Sequence, residues 1–365
     1  MRITAVHLRQ VSLPLVEPFI ISGGSIEERR SLIVTLEDDA GHRGYGECPP
    51  FELPFYSEET LAGATGLIER VLLPRLEGRE FESPEHVDRA LRVGVRGNPF
   101  ARAALETAAW DLEANRKGVG LASLLGNRLG VEPAAWIPCG VALGIPHDRN
   151  IMTLVRWVEE AVARGYRRVK IKIAPGWDAE PVRAVAHALS GTGLPFTVDA
   201  NGAYEWPEHE SNLRSIDDVG LLYIEQPLHP DELVGHARLC RELATPICVD
   251  ETLRDARAAR QIVELAGPRI WNIKVHRVGG LSEVLRIYAI AAEYGAILWA
   301  GTMPESGIGS QSALAAASLP LFAYPSDLEP SARWFGPNKD LIELRMSAEG
   351  TMNVPSRSIW VQCQS

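Results

Sequence analysis

Apolar and polar residues alternate from Ile3 to Leu15 and again from Ser31 to Leu36, and the second run meets Asp38-Asp39-Ala40-Gly41. A period of two marks half-buried strands, and the tetrapeptide is turn chemistry, so the chain opens as an antiparallel sheet. From Ser57 to about Leu76 and from Pro99 to about Lys117 the apolar period lengthens to three or four, with Ala101, Ala103, Ala104, Ala108 and Ala109 along the second stretch. That spacing predicts helices. Strands followed by helices, without alternation, describe an α+β capping domain over residues 1–130.

Beyond that point short, nearly continuous β-branched runs recur, each followed by a helical stretch: Val169 to Ile173, Phe196 to Val198, Leu221 to Ile224, Ile247 to Val249, Ile270 to Ile273 and Ile297 to Trp299. Strands buried on both faces of a parallel sheet read this way. Counting Pro138 to Val141 first and Leu319 to Ala323 last gives eight βα units, the number that closes a TIM-type barrel. The expectation is therefore an α/β protein, a (β/α)8 barrel over residues 131–325 beneath the N-terminal cap. An open doubly wound sheet is the structural alternative, but no glycine-rich dinucleotide fingerprint follows the early strands. Residues 326–365, with Pro330, Pro337 and Pro355, leave the repeat and are expected to return to the capping domain.

Charged residues stand just past these apolar runs: Lys170 and Lys172 in the second unit, Asp199, Glu225 and Asp250 after the next three, Lys274 after the sixth and Glu305 beyond the seventh. Positions 172, 199, 225, 250 and 274 follow one another in steps of 24 to 27 residues. In a closed barrel that near-constant period places them around the C-terminal rim, where barrel enzymes carry their chemistry. Any one of the acids alone reads equally well as a helix N-cap or a surface ion pair. Three in consecutive units repel one another unless a cation sits among them, and an all-oxygen set suits a hard ion such as Mg²⁺, or Mn²⁺. Asp199, Glu225 and Asp250 are the candidate ligands.

Lys170 and Lys172 share a strand face, and Lys274 stands opposite. Adjacent ammonium groups disfavour each other's charge, so one lysine is expected to become neutral enough to act as a base. Lys172, nearer the strand's C-terminal end, is the better candidate. A substrate carboxylate held at such a site has an acidified α-proton, because the enediolate's charge is stabilised there.

Composition narrows the function further. The net charge of −10 comes with no Lys/Arg-rich run, and no stretch of 18 apolar residues occurs, so neither nucleic acid nor a membrane is an expected partner. Five cysteines, Cys48, Cys139, Cys240, Cys248 and Cys363, form no CxxC pair and suggest neither a disulfide framework nor a zinc site. A reducing cytoplasm, a small-molecule carboxylate substrate and a homo-oligomer are the expectations.

Finer phrases add a resemblance: Glu17-Pro18-Phe19, Pro-Phe-Tyr-Ser-Glu-Glu-Thr at 54–60, Lys-Ile-Lys-Ile-Ala-Pro-Gly-Trp-Asp at 170–178, Val-Asp-Ala-Asn at 198–201, Ile-Glu-Gln-Pro-Leu at 224–228, Asn-Ile-Lys at 272–274 and Glu-Ser-Gly-Ile-Gly at 305–309. Across its whole length the chain resembles the enolase superfamily, its muconate-lactonizing-enzyme-like subgroup, and within that the o-succinylbenzoate synthase and N-acylamino acid racemase family. The resemblance implies Lys172 and Lys274 as the acid/base pair, Asp199, Glu225 and Asp250 as Mg²⁺ ligands, and menaquinone synthesis as the pathway of the synthase. Lys170, Asn201, Thr302, Met303 and Glu305 are then expected to contact substrate, with Phe19 and Phe55 from apolar lid segments at 19–22 and 51–55. Arg277 matches an arginine of racemase-competent members. Ala142, Gly301-Thr302-Met303-Pro304 and His276 depart from the family's usual residues near the pocket, and leave its lysines and acids untouched.

Three other readings compete. Dipeptide epimerases share the lysines and metal but carry Asp-x-Asp after the eighth strand, where this chain has Asp327-Leu328-Glu329. A Schiff-base aldolase would need one buried lysine and no metal. A barrel kept only for binding or assembly would be expected to have lost at least one of these residues.

Overall fold

The computed structural model describes residues 1–21 and 24–358; Ser22 and Cys363, named above, lie outside the described residues. Strands β1 (Ile3–Ile21), β2 (Gly24–Asp38) and β3 (Arg43–Cys48) form the antiparallel sheet in the order β1-β2-β3. Phe19 to Ile21 thus belong to a strand and not to a loop. Helices α1 (Leu61–Leu67), α2 (Pro84–Arg92), α3 (Pro99–Lys117) and α4 (Leu121–Leu129) follow. Helix α1 starts four residues later than Ser57, because Thr60 caps it by accepting from the Gly63 amide at 3.2 Å.

The alanines of α3 have a specific use. A Cβ on Gly44 or Gly46 of β3 would fall 2.2 Å from the Ala108 carbonyl oxygen or 2.0 Å from that of Ala104. Glycine on the strand and alanine on the helix let the two backbones touch, and Ala104, Leu105, Ala108 and Leu112 join Ile3, Val34 and Leu36 in one buried core.

After β4 (Trp136–Pro138), strands β5 (Gly140–Leu143), β6 (Arg168–Lys172), β7 (Phe196–Asp199), β8 (Ile224–Glu225), β9 (Ile247–Val249), β10 (Ile270–Ile273) and β11 (Ile297–Ala300) make one parallel sheet in chain order. Between and after them lie α5 (Ile151–Ala163), α6 (Ala179–Ala188), α7 (Glu210–Arg214), α8 (Leu233–Glu242), α9 (Ala256–Glu264), α10 (Val275–Val278), α11 (Leu281–Tyr294), α12 (Gly307–Ala317) and α13 (Ser331–Trp334). Among the described residues no helix is long and apolar enough to cross a membrane.

The barrel closes without a regular eighth strand. Leu298 donates to the Leu321 carbonyl at 2.9 Å and Asp327 to that of Ala300 at 2.8 Å, while Gly140 donates to Ser326 at 2.7 Å on the other edge. Pro325 has no N–H to give to a ladder, so the closing segment makes single bridges, one at Phe322, within the expected Leu319 to Ala323, and one at Ser326, beyond it. The first unit is corrected similarly. Pro138 belongs to β4, which pairs antiparallel with β12 (Thr351–Asn353), and the barrel's first strand begins at Gly140.

Cap and barrel are joined through Glu106 of α3. Its carboxylate accepts from the amides of Leu281 and Ser282 at 2.7 and 2.6 Å, capping α11 from another domain, and from Trp110 Nε1 at 2.8 Å. Gly280, at φ +111°, lies against that carboxylate: a Cβ there would fall 2.2 Å from Oε2. Glu106→Ala strips buried amides of their acceptor and is expected to cost roughly 3 kcal/mol; urea unfolding measures it, and a loss under about 1 kcal/mol would sink the assignment.

Candidate active site

The lysines and acids end adjacent strands, and β-register sets their heights. Lys172 lies opposite Asp199, Asp199 opposite Glu225, and Glu225 opposite Cys248, two residues before Asp250. Gln226 holds the next turn: its Oε1 accepts from the Asp250 and Thr252 amides at 2.9 and 3.1 Å.

Each lysine rests on carboxylate, not on another ammonium. Lys172 Nζ donates to Asp199 Oδ2 at 2.5 Å and to Asn201 Oδ1 at 2.7 Å. Lys170 lies 2.9 Å from Glu225, 2.5 Å from Asp327 and 3.5 Å from Asp199, above the Trp299 ring. Across the barrel, Lys274 donates to Asp250 Oδ2 and to Tyr56 Oη, both at 2.8 Å. Burial works to depress the Lys170 and Lys274 ammonium groups, but Asp327 and Glu225 for the first, and Asp250 and Tyr56 for the second, outweigh it and hold both above the ordinary lysine range. For these two lysines the neighbouring carboxylates, and not another ammonium group, set the direction of the shift.

Lys170, Lys172, Lys274, Asn201, Thr302 and Met303 open onto one cavity of about 50 Å³ at the barrel mouth, closed above by Phe19, Phe51 and Tyr56 of the cap. Phe55 does not line it. That ring stacks on Phe51 at 4.8 Å between centroids and packs over Gly24, so it braces the lid from behind. Glu305 is also turned away: its carboxylate accepts from the Met303 amide at 2.9 Å and sits 3.0 Å from His276 Nδ1, both fully buried. It shapes the 301–305 turn from beneath.

Tyr56, Ala142, Pro304, Asp327, Glu329 and Trp334 complete the wall. Asp327 obeys the same strand-end rule as the other acids, following the bridge at Ser326, whereas Tyr56 and Trp334 come from outside the βα repeat and share no period with it. It pairs with Arg168 as well as Lys170, while Glu329 accepts from the Ala142 amide at 3.2 Å and lies 2.9 Å from Arg333.

Among the described residues no three acid, histidine or cysteine side chains are drawn together tightly enough to hold a metal as they stand. The donor set nevertheless fits one. Asp199, Glu225 and Asp250 offer only oxygens from three successive strand ends, as a hard divalent ion requires. Asp250 Oδ1 and Glu251 Oε2 are buried with no hydrogen-bond donor, Arg277 at 3.1 Å from the former being misaligned. Burial, and then the charge of Asp199, push the Glu225 carboxyl up to about 8. A buried carboxyl pushed up beside another acid, and carboxylate oxygens without donors, are what a cation relieves.

The barrel part of the chain, residues 153–358, matches the enolase C-terminal domain-like family, and residues 3–126 match the N-terminal domain of the mandelate racemase / muconate lactonizing enzyme family. The chain belongs to this enolase-superfamily group. Among its relatives, an N-succinylamino acid racemase from Thermus thermophilus is 42% identical over 356 residues, covering 97% of this chain and 93% of that one. An o-succinylbenzoate synthase from Enterococcus faecalis is 38% identical over 356 residues, covering 97% and 94%. A solved enolase-superfamily structure from Listeria innocua superposes with a TM-score of 0.90 at 35% identity, over 98% of this chain and 94% of that one. The barrel, cap and order of strands are thus those of the enolase superfamily.

Proposed function

We propose that the chain removes the proton α to the carboxylate of N-acylamino acids, N-succinyl derivatives above all, and racemises them, with the dehydration that forms o-succinylbenzoate as a second reaction of the same site. One observation carries this reading: Lys172 and Lys274 enter one cavity from β6 and β10, four places apart in the barrel order, so a planar carbanion between them is reachable from both faces. In racemisation one lysine, as free amine, takes the α-proton, and the opposite lysine, as ammonium, delivers one to the other face. In dehydration Lys172 removes the α-proton and returns it to the departing β-hydroxyl as water leaves, while the Lys274 ammonium faces the enediolate charge. A divalent ion on Asp199, Glu225 and Asp250, Mg²⁺ by their oxygen chemistry, would stabilise charge developing on the substrate carboxylate and release the lysines from their acids. Asn201, bonded to Lys172 at 2.7 Å and to Glu251 at 2.9 Å, aims the base. Cys48, Cys139, Cys240 and Cys248 are all free thiols, which supports a reducing, cytoplasmic setting.

A dipeptide substrate would need free carboxylates for its ammonium group. Here Asp327 and Glu329 already face Arg168, Lys170 and Arg333, so neither carboxylate is free for an ammonium group, and the wall suits an acyl tail instead. The test is α-proton exchange in D₂O with N-succinyl- and N-acetyl-amino acids, followed by NMR with Mg²⁺ or EDTA, beside an absorbance assay for o-succinylbenzoate. Exchange with inversion supports the racemase; turnover in the absorbance assay alone makes the chain a dehydratase; silence in both rejects the reading. Burial pushes the Glu329 carboxyl up to about 7, so at pH 8 Glu329→Gln removes a negative charge beside Arg333, and is expected to raise the preference in kcat/KM for succinyl over acetyl substrates by roughly ten-fold. An unchanged ratio would place the acyl tail elsewhere.

A further inference from the structure

A second cleft, of about 840 Å³, opens where cap and barrel meet and shares no residue with the lysine cavity. Six arginines line it: Arg92, Arg96 and Arg102 from the cap, Arg257, Arg260 and Arg286 from the barrel. In a chain of net charge −10 such a concentration runs against the global balance. Among the described residues the only acids in the lining are Asp255 and Glu283, and both are committed to protein donors. Glu283 holds Arg92 and Arg286, each at 2.7 Å, and accepts from the Ala256 amide at 2.7 Å. Asp255 caps α9, accepting from the amides of Arg257 and Ala258 at 2.8 and 2.9 Å. Asp88 behind the cleft also binds Arg92 and Arg286.

Four guanidinium groups are therefore left without a carboxylate partner. Among the described residues Arg96, Arg102, Arg257 and Arg260 have no acidic side chain within ion-pairing distance. Arg102 lies deepest: it is 8% exposed and its Nε donates to the Gly97 carbonyl at 3.3 Å, while Arg96, Arg257 and Arg260 are exposed around it. Guanidinium groups gathered without a counter-charge repel one another, and an anion among them relieves that repulsion.

We propose that this cleft is a binding site for a small, multiply charged phosphoryl anion, a phosphate or pyrophosphate group that is free or carried on a small molecule. Guanidinium forks match phosphate oxygens bidentately, and four of them suit two to four negative charges. The cleft's size falls in the range of small-molecule sites, roughly 300–1,000 Å³. Because its walls come from both domains, a bound anion would clamp the cap to the barrel, and linkage makes it stabilising.

The test titrates inorganic phosphate and pyrophosphate into the full chain at fixed free magnesium, by calorimetry and by thermal unfolding. Pyrophosphate is expected to bind once per chain, to weaken with added NaCl and to raise Tm. Arg257 and Arg260 are exposed on α9, so the double variant Arg257→Gln/Arg260→Gln should fold normally and weaken binding by about ten-fold or more, as the loss of charge-assisted hydrogen bonds implies. Arg102→Gln should do the same, and Arg30→Gln, an arginine of the cap sheet paired with Glu28, should change nothing. No heat and no Tm shift with either anion overturns the proposal. So does equal affinity in the double variant, or an association state that follows these arginines irrespective of anion, which would make the cleft a contact between copies.

Discussion

Lys172→Ala is expected to end racemisation and o-succinylbenzoate formation, lowering turnover by about 10³-fold or more, the scale of a lost general base. Geometry makes the outcome more informative than a loss. If the two lysines serve opposite faces, the variant still exchanges the α-proton of one enantiomer through Lys274, and Lys274→Ala shows the mirror result with the other. NMR in D₂O with each enantiomer separately reads this directly. Loss of exchange for both enantiomers in Lys172→Ala alone would mean a single base, with Lys274 serving only as a charge, and would leave the synthase reaction standing. Unchanged turnover would end the base assignment. Removing Lys172 leaves Asp199 with Lys170 at 3.5 Å, so the buried carboxylate keeps a counter-charge and the variant is expected to fold. Circular dichroism and Tm check that point.

What could be read in advance follows from what is local. A strand ends in one apolar run and the next residue faces the barrel mouth, so one acid or lysine per βα unit is visible in a single chain, and Lys172, Asp199, Glu225, Asp250 and Lys274 stand where that spacing puts them. Contacts that cross domains leave no such period. Tyr56 reaches Lys274 across 218 residues of sequence, and although it stands in the phrase at 54–60, no periodicity there tells that its hydroxyl meets a lysine. Phe51 and Phe55 are equally aromatic, and only the stacking of one on the other decides which faces the substrate. Glu305 has a site residue's charge, but the histidine that draws it inward is 29 positions away. The arginines of the second cleft are scattered from 92 to 286, so no basic run marks them, and their convergence is a property of the fold alone.

The acids carry the second large effect. EDTA is expected to abolish α-proton exchange and Mg²⁺ to restore it; full activity in EDTA would favour metal-independent chemistry at the lysines. Glu225→Gln sharpens the test. Glu225 accepts from Asn272 Nδ2 at 2.7 Å and from Lys170 at 2.9 Å, and burial followed by the neighbouring Asp199 charge holds its carboxyl at about 8 without a cation. The cation-free site thus tolerates an uncharged group here better than an ordinary carboxylate site would, so the variant should fold while losing an anionic ligand. The sign of the pH dependence follows. A cation binds the ionised carboxylate, so binding must expel the proton, and apparent Mg²⁺ affinity should climb by up to about ten-fold per pH unit from 6 towards 8 before it flattens. In Glu225→Gln that climb should disappear along with at least about ten-fold in affinity at pH 8. Calorimetry at pH 6, 7 and 8 decides it: an equal slope in both proteins would mean that the titrating ligand is another carboxyl, with Glu251, pushed up to about 7 by burial and Asp250, the next to replace.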